Sequence, residues 1–265
     1  MGHLGLLARR LERFYRQSGT GIAFAAFGLG GVALTVTIFP LLNILIPNRQ
    51  RRAGIAQHVV SRSWRLFIQT LVWARLMDVI YEGEEVLQNE AGTVVVANHP
   101  SLLDIVLIIS VMKRAQCVVK EEVWKNPFMR GVIKATDYIP NLGDPEKTLA
   151  CCVNALKSGN NLVIFPEGTR TVPGRPLRLQ RGFANIAIRA GAPIRIVSVT
   201  CAPPLLQKGV KWYKSPLRRP CFRVRVGERI EPADLSYSRI PGCAARDITS
   251  RIAKSFEEVI CYEPA

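Results

Sequence analysis

Short runs of Val and Ile alternate with longer amphipathic stretches along the chain from about residue 78 onward. The short runs predict buried strands, because about four to eight apolar residues bounded by turn signals fit the middle of a sheet. The amphipathic stretches predict helices. This alternation favours an α/β fold with a mostly parallel central sheet flanked by helices. The predicted strands are 94–97, 116–119, 137–139, 161–165, 194–200 and 221–226, and the predicted helices are 101–112, 127–135, 145–158, 183–190 and 244–259.

The N-terminal part of the chain has a different pattern, with no charged residue between Arg16 and Arg49. As a helix this segment would be about 48 Å long, more than the roughly 30 Å hydrocarbon core of a bilayer but less than two spans. Both flanks are basic, which argues against a simple crossing. Residues 28–31, Pro40 and Pro47 are places where the segment can turn. We therefore favour a re-entrant or interfacial helical hairpin over a single transmembrane helix.

Residues 53–77 continue this region with a helical pattern. His58, Arg62 and Arg65 recur on one stripe, and apolar residues with tryptophans surround it. That arrangement is typical of a helix at a membrane interface, and a helix packed on an ordinary domain is the alternative. The sequence thus predicts membrane-associated helices over 1–77 and an α/β domain over 78–265.

The formal net charge of +16 indicates a polyanionic partner, and nucleic acid, an anionic membrane or an acidic protein would each fit. The apolar N-terminus favours a lipid bilayer, whereas an aromatic-rich basic motif for nucleic acid is missing. The seven cysteines are odd in number and lack CxxC spacing, so they predict reduced thiols. His3 and His58 lie far in sequence from the third histidine, so no metal site is expected.

Two strand ends carry the candidate chemistry. The strand 94–97 is followed by Asn98 and His99, and Asp104 interrupts the apolar stretch that comes next. On one regular helix the last two would lie about 140° apart. With His99 just before the helix and Asp104 in its early turns, the carboxylate can reach the imidazole and leave the other ring nitrogen as a base. A histidine that only caps the helix would give the same sequence.

The second strand, 161–165, ends in the sequence FPEGTR. Glu167 and Arg170 lie in that turn, where they can pair with each other or hold a hydroxyl and an anion beside the same cleft. Ligands of open α/β sheets bind beyond the carboxyl ends of the strands, so both turns lie where a site is expected.

Together these turns resemble the glycerolipid acyltransferases, which include the lysophosphatidic acid acyltransferases. NHPSLLD matches the HX4D motif of that family, and FPEGTR matches its second signature. The resemblance covers about residues 78–230, with 119–131 and 181–194 also similar to the sequence of the family. The N-terminal apolar segments are similar to those of bacterial members.

The resemblance implies transfer of an acyl chain from acyl-CoA or acyl-carrier protein to a hydroxyl of a lysophospholipid such as 1-acylglycerol-3-phosphate. His99 would be the general base and Asp104 its orienting partner. No cofactor besides the thioester co-substrate and no metal is implied. The expected location is the cytoplasmic face of a bacterial inner membrane, where the lysolipid resides. The residues that would form the acceptor site are Glu167, Gly168, Thr169 and Arg170.

Two departures concern the acceptor. The middle block of the family usually ends with an arginine for the acceptor phosphate, and here Asn141 stands in its place. Arg195 interrupts the apolar strand of the last block. It can be a cation that replaces the missing arginine, or a strand charge that faces outward, and both interpretations are open. The basic residues Arg175, Arg178 and Arg181 are further candidates for phosphate contact. A non-glycerophosphate acceptor, such as an ornithine-type or specialised lipid, and a catalytically silent lipid-binding protein are therefore the alternatives.

Overall fold

A seven-stranded sheet between two layers of helices forms the centre of the protein, in a computed structural model that describes residues 3–141, 143–172, 175–235 and 241–262. The strands are β1 Asp78–Glu82, β2 Val94–Ala97, β3 Ala115–Lys120, β4 Ile139–Asn141, β5 Asn161–Ile164, β6 Ile194–Ala202 and β7 Cys221–Ile230. The helices are α1 His3–Val36, α2 Ile38–Leu45, α3 Arg49–Trp73, α4 Glu84–Asn89, α5 Asp104–Ser110, α6 Glu121–Lys125, α7 Pro127–Ala135, α8 Pro145–Lys157, α9 Gly182–Ala190, α10 Pro232–Leu235 and α11 Pro241–Tyr262.

The strand order in the sheet is β1-β7-β6-β2-β5-β3-β4. Every described pairing is parallel except that of β6 with β7. The predicted α/β fold with a mostly parallel sheet is therefore confirmed. Because β2 pairs with both β5 and β6, it is a central strand. The segment after it therefore lies in the middle of the row of carboxyl ends of the strands.

Both faces of the sheet are covered, which explains why β2 is a continuous apolar run rather than an alternating one. Its residues Val95 and Ala97 pack with α3, α5 and α7 on one face. Val94 and Val96 pack with α8, α9 and α11 on the other face. All four side chains are fully buried. The strand is therefore held rigidly from two sides, and so is the start of the turn that follows it.

The N-terminal segment forms a helical hairpin whose turn lies at residues 46–48, around Pro47. Asn48 caps the return helix α3, because its side-chain oxygen accepts a hydrogen bond from the backbone N–H of Arg51. On the two arms of the hairpin, Phe27 of α1 contacts Trp64 and Phe67 of α3. Residues 28–31, which the sequence offered as another turning place, are helical.

Residues 10–45 are long and apolar enough to cross a membrane by length and composition, and 11% of the apolar window is buried inside the protein. Part of the α1 and α2 surface is covered by the protein itself, because Phe27, Leu34 and Ile38 pack against the core of the α/β domain. Phe39 is itself buried. One face of this segment is thus part of the folded domain, and the opposite face is exposed.

Several elements differ from the sequence prediction. The strand β1 and the short helices α4, α6 and α10 were not predicted, and the strand predicted at 137–139 lies at β4. Asp137 has a φ of 55°, which is outside the strand region of backbone conformation. The helix predicted to begin at residue 101 begins at Asp104, because residues 101–103 form a turn. These differences leave the strands that carry the two motifs in place.

Candidate active site

The HX4D turn brings a histidine and a buried carboxylate together. Nδ1 of His99 lies 2.8 Å from Oδ2 of Asp104. The imidazole stacks on the ring of Phe165, with 4.1 Å between the centroids and 19° between the planes. Phe165 directly follows β5, the parallel neighbour of β2. The two motifs therefore meet at the carboxyl ends of these two strands. The His99 side chain is 18% exposed, and with Nδ1 occupied its Nε2 is the nitrogen available to a substrate.

Asp104 is completely buried at the first residue of α5. Burial raises the pKa of this carboxyl to about 6, although the hydrogen bond with His99 favours the ionised form. Its Oδ2 also accepts a hydrogen bond from the backbone N–H of Ser101, at 2.7 Å. Its Oδ1 accepts none from the described part of the chain. The carboxylate is therefore fixed in place and poorly solvated, which strengthens its interaction with a positive imidazolium.

Glu167 of the second motif joins the two turns. Its Oε1 accepts hydrogen bonds from the backbone N–H of His99 at 2.9 Å and from the hydroxyl of Thr171 at 2.8 Å. The backbone N–H of Thr171 in turn donates to the carbonyl of His99 at 2.7 Å. The open possibility that Glu167 pairs with Arg170 is not what the structure shows, because both side chains have other partners. Glu167 thus fixes the backbone on both sides of the His99 imidazole.

Gly168 occupies a position where a side chain would be strained. Its φ is 66°, and a Cβ there would lie 2.9 Å from Nε2 of Gln180. The backbone N–H of Gln180 donates to the carbonyl of Pro166 at 2.8 Å, so the segment before α9 packs directly on the FPEGTR turn. Thr169 lies half-buried in this turn, beside Gly168. The positive φ favours glycine at this position, whereas the Gln180 side chain could move to admit a Cβ.

Arg170 extends away from Glu167 toward the connection between β6 and β7. Its Nη1 donates to the carbonyl oxygens of Leu206 at 2.7 Å and Gln207 at 3.2 Å. The guanidinium therefore already has partners in the protein and holds the start of that connection against the motif turn.

Three residues of the site were not predicted from sequence: Ser101, Thr171 and, in its structural role, Asn98. The side-chain amide of Asn98 donates to the carbonyl of Val199 at 2.8 Å, and its oxygen accepts from the backbone N–H of Val199 at 2.7 Å. The Asn98 side chain thus takes the place of a backbone hydrogen-bond pair at the point where β2 stops pairing with β6. It fixes the first residue of the HX4D turn. A buried Asn directly after a strand is a signal for such pairing, whereas nothing near Thr171 in sequence marks its partner.

Arg195, the candidate to replace the missing phosphate-binding arginine, lies away from the imidazole of His99. Arg195 donates to the buried carboxylate of Glu90 at 2.7 Å near the amino end of β6, opposite the edge that carries His99. Arg229 binds the same carboxylate. Asn141 ends the outermost strand β4, which two strands separate from β2.

An apolar groove of about 90 Å³ lies beside the HX4D turn. Leu102 and Leu103 of the turn itself form part of its wall, and so do Leu205 and Leu206 of the segment that Arg170 holds. The rest of the wall comes from Thr20, Ala23, Phe24, Phe27, Phe67, Leu71, Leu76, Met77 and Val106. The N-terminal hairpin and the α/β domain therefore build this groove together, against Leu102 and Leu103 of the HX4D turn.

These features match a known class of domain. Residues 78–202 match the family model described as Acyltransferase, and the two turns lie inside that range. Residues 78–202 therefore form an acyltransferase-family domain, as the sequence motifs predicted.

Among named relatives, the chain is 27% identical over 208 residues to a 1-acyl-sn-glycerol-3-phosphate acyltransferase of Cocos nucifera, covering 74% of the chain and 62% of the relative. It is 28% identical over 174 residues to a chloroplastic enzyme of that name from Arabidopsis thaliana, covering 64% and 46%. It thus spans less than two thirds of both relatives. The crystal structure of the 1-acyl-sn-glycerophosphate (LPA) acyltransferase PlsC from Thermotoga maritima has a TM-score of 0.69 at 20% identity, covering 94% of this chain and 98% of the other, and shows the same fold.

Proposed function

We propose that this protein is a membrane-bound O-acyltransferase that moves an acyl chain from a thioester, acyl-CoA or acyl-carrier protein, to a hydroxyl of 1-acylglycerol-3-phosphate. The observation that carries the proposal is the His99–Asp104 pair, 2.8 Å apart, within an acyltransferase-family domain. The names of the relatives support the acceptor. The apolar groove beside the pair supports a substrate with an acyl chain.

In the proposed reaction, Nε2 of His99 accepts the proton of the acceptor hydroxyl as its oxygen attacks the thioester carbonyl. The new C–O bond forms, the C–S bond breaks, and the thiolate leaves with the proton from the imidazolium. Asp104 holds Nδ1–H and so fixes the tautomer in which Nε2 is the base. Direct transfer of this kind needs no covalent acyl-enzyme.

At the acceptor end, Glu167, Gly168, Thr169 and Arg170 are proposed to shape the site. Glu167 and Arg170 already bind protein groups, so their contribution would be to hold the backbone of the turn in place. Arg178 and Arg181 are the proposed phosphate contacts, because they flank Gln180, whose backbone is bonded to that turn.

The proposed membrane contact is the exposed face of α1. Tyr15, Ile22, Leu29 and Val36 are seven residues apart, so they form one apolar stripe along the helix, and each is more than half exposed. The opposite face packs on the domain, so α1 would lie along the bilayer as an interfacial helix rather than stand free as a span. The basic residues in the first part of α1, among them Arg10, Arg13 and Arg16, support a cytoplasmic membrane face as the proposed location.

The direct test compares purified protein with its His99→Ala variant on acyl-CoA and acyl-carrier protein, each offered with a panel of lysolipids. We expect the variant to lose about 10²- to 10⁴-fold in rate, measured by mass spectrometry of the product. His58→Ala is the matched control, because His58 is exposed on α3. Equal rates for His99→Ala and wild type would exclude the general base. If product forms only with lipids that lack glycerol phosphate, the acceptor is a non-glycerophosphate lipid. If no mixture gives product, a lipid-binding protein is favoured.

A further inference from the structure

The connection between β6 and β7, residues 203–220, is a strongly basic surface segment. It contains five Lys and Arg residues and no Asp or Glu. Most of residues 208–219 are exposed, including the three lysines Lys208, Lys211 and Lys214. Only Ser215 is buried among them. A segment of this charge attracts anionic partners, and its described ion pair with an acid is that of Arg219 with Asp78.

Exposed aromatic and apolar side chains stand between these lysines. Trp212 is 49% exposed, Tyr213 43% and Leu217 57%. The ammonium of Lys211 lies 5.7 Å from the centroid of the Tyr213 ring, so the cation and the ring occupy one surface. Tryptophan and tyrosine are enriched at membrane–water interfaces, and lysine stems lie along apolar surface while the charge reaches the headgroups. An acidic protein partner would be matched by the charges but gives no reason for the interleaved aromatic rings.

The segment is fixed to α1 at two places. The guanidinium of Arg16 donates to the carbonyl oxygens of Pro216 and Leu217. Further along the helix, the Trp212 ring packs edge-on against Phe24, with 6.0 Å between the centroids. Gly21 allows this approach, because a Cβ there would lie 3.3 Å from the indole. These contacts fix the basic segment against α1, on a face of the helix about 160° away from the stripe residue Ile22.

We propose that residues 208–218 are a second membrane-binding element, which binds the headgroup layer of an anionic bilayer beside the helical hairpin. The proposal rests on the membrane location in the proposed function and adds a binding element of different chemistry to it. The hairpin supplies apolar contact, whereas this element supplies positive charge and interfacial aromatic rings.

The position of this element links the bilayer to the site. Leu205 and Leu206, immediately before it, form part of the groove wall, and Arg170 of the FPEGTR turn holds the carbonyl of Leu206. A bilayer bound at residues 208–218 would therefore lie next to the groove, which reaches the HX4D turn at Leu102 and Leu103. This is where a lipid acceptor must leave the membrane to reach the imidazole.

The charge test measures by flotation how much of the full chain binds to lipid vesicles, without any substrate. The vesicles are either pure phosphatidylcholine or phosphatidylcholine with about 30% phosphatidylglycerol, which makes them anionic. Lys208→Gln/Lys211→Gln/Lys214→Gln is expected to reduce partition onto the anionic vesicles by about a hundredfold, since each lysine near an anionic surface contributes about fivefold. Partition onto neutral vesicles should not change. Lys113→Gln/Lys157→Gln/Lys254→Gln is the control, because it removes the same charge from exposed positions elsewhere.

Equal losses in the two triple variants would overturn the proposal, since only the net charge would then matter. Unchanged vesicle partition together with activity lost only for acyl-carrier protein would assign the segment to an acidic carrier instead. A second measurement uses brominated lipids, which quench tryptophan fluorescence on contact. Trp212→Phe should remove part of the quenched emission, and full quenching in that variant would contradict the proposed contact. Both measurements are independent of acyl transfer, so they remain informative if the proposed function fails.

Discussion

At the scale of single residues, the contacts of the HX4D turn argue against His99 as a helix cap and agree with its proposed role as a base. A capping histidine would bond the free N–H groups at the start of α5, but the N-cap residue there is Leu103 and makes no side-chain bond. Nδ1 of His99 is bonded to Asp104, and the His99 backbone is bonded to Glu167 and Thr171. The histidine is thus held by side chain and backbone, while its Nε2 has no hydrogen-bond partner within the described part of the chain.

The buried position of Asp104 predicts the pH dependence of the reaction. Because burial raises its pKa to about 6, the pair gains a proton as the pH falls through that value, and the imidazole loses its charged partner. We expect kcat/KM to be level near pH 8 and to fall about tenfold per pH unit below about 6. Rates measured between pH 4.5 and 9 in constant ionic strength test this. A plateau extending to pH 4.5 would show that the carboxyl does not control the base.

The same burial predicts an effect on stability with a defined sign. The folded-state pKa of Asp104 is above the ordinary value of 3.8, so the folded protein binds more protons than the unfolded chain between about pH 4 and 6. Ionisation of Asp104 therefore costs stability as the pH rises through this window. We expect Asp104→Asn to melt at a higher temperature than wild type at pH 8, with the difference shrinking toward pH 4. Its acyl-transfer rate should fall by about 10²- to 10⁴-fold. A lower Tm at pH 8 would contradict this account.

At the scale of elements, glycines set the distance between α1 and the domain. The Cα of Gly131 in α7 faces Thr35 of α1 so closely that a Cβ would lie 2.7 Å from the Thr35 Cβ. On the other side of the contact, a Cβ at Gly31 would lie 2.8 Å from the carbonyl oxygen of Phe128. Rotation of a side chain cannot relieve contacts with a Cβ or a backbone carbonyl. The stretch that sequence inspection offered as a turn is therefore the surface on which two helices meet.

This close contact predicts opposite effects for two glycine substitutions. Gly131→Ala is expected to lower the free energy of unfolding by about 1 to 3 kcal/mol, because α1 must move away from α7. Gly30→Ala is the matched control, since a Cβ there meets nothing within 4 Å. It should raise the free energy of unfolding by about 0.5 to 1 kcal/mol through helix propensity. Chemical denaturation in detergent measures both, and equal effects would show that α1 does not pack on α7 as described.

The elements that sequence predicted well are those whose pattern is local. β2 and α7 were predicted with their observed bounds, because a run of buried valines and an Asn-Pro helix start are readable without knowledge of neighbours. β1 was missed because its side chains are only half-buried at the edge of the sheet, so no apolar run marks it. The break before Asp104 was missed because residues 101–103 are apolar enough to continue a helix and yet form the turn that positions the carboxylate.

At the scale of the whole molecule, sequence predicted the two motif turns at one edge but not the contacts that hold them. Asn98 binds Val199, and Arg170 binds Leu206, across long separations in the chain. Both contacts depend on the strand order, in which β2 pairs with β5 on one side and β6 on the other. Sequence spacing carries no information about that order. A hairpin within the uncharged segment between Arg16 and Arg49 was predicted, whereas the observed hairpin pairs that segment with α3, and its packing against the core required the fold.

The whole molecule has a polar, basic domain on one side of α1 and an apolar stripe on the other, which yields a final prediction. Ile22→Gln/Leu29→Gln/Val36→Gln should reduce partition onto neutral vesicles by at least about a hundredfold, because each side chain loses most of its transfer free energy into the bilayer. The three residues are 70%, 64% and 65% exposed, so the Tm in detergent should stay within a few degrees of wild type.

The control for this variant is Ile80→Gln/Val123→Gln, which removes exposed apolar side chains from β1 and α6. Vesicle flotation should not distinguish it from wild type. Removing the whole segment is a poorer experiment, because Phe39 is buried and Phe27 packs on the core, so the truncated chain would lose stability as well as membrane contact. If the stripe variant floats with vesicles as wild type does, α1 does not bind the bilayer through this face, and the exposed stripe would need another occupant.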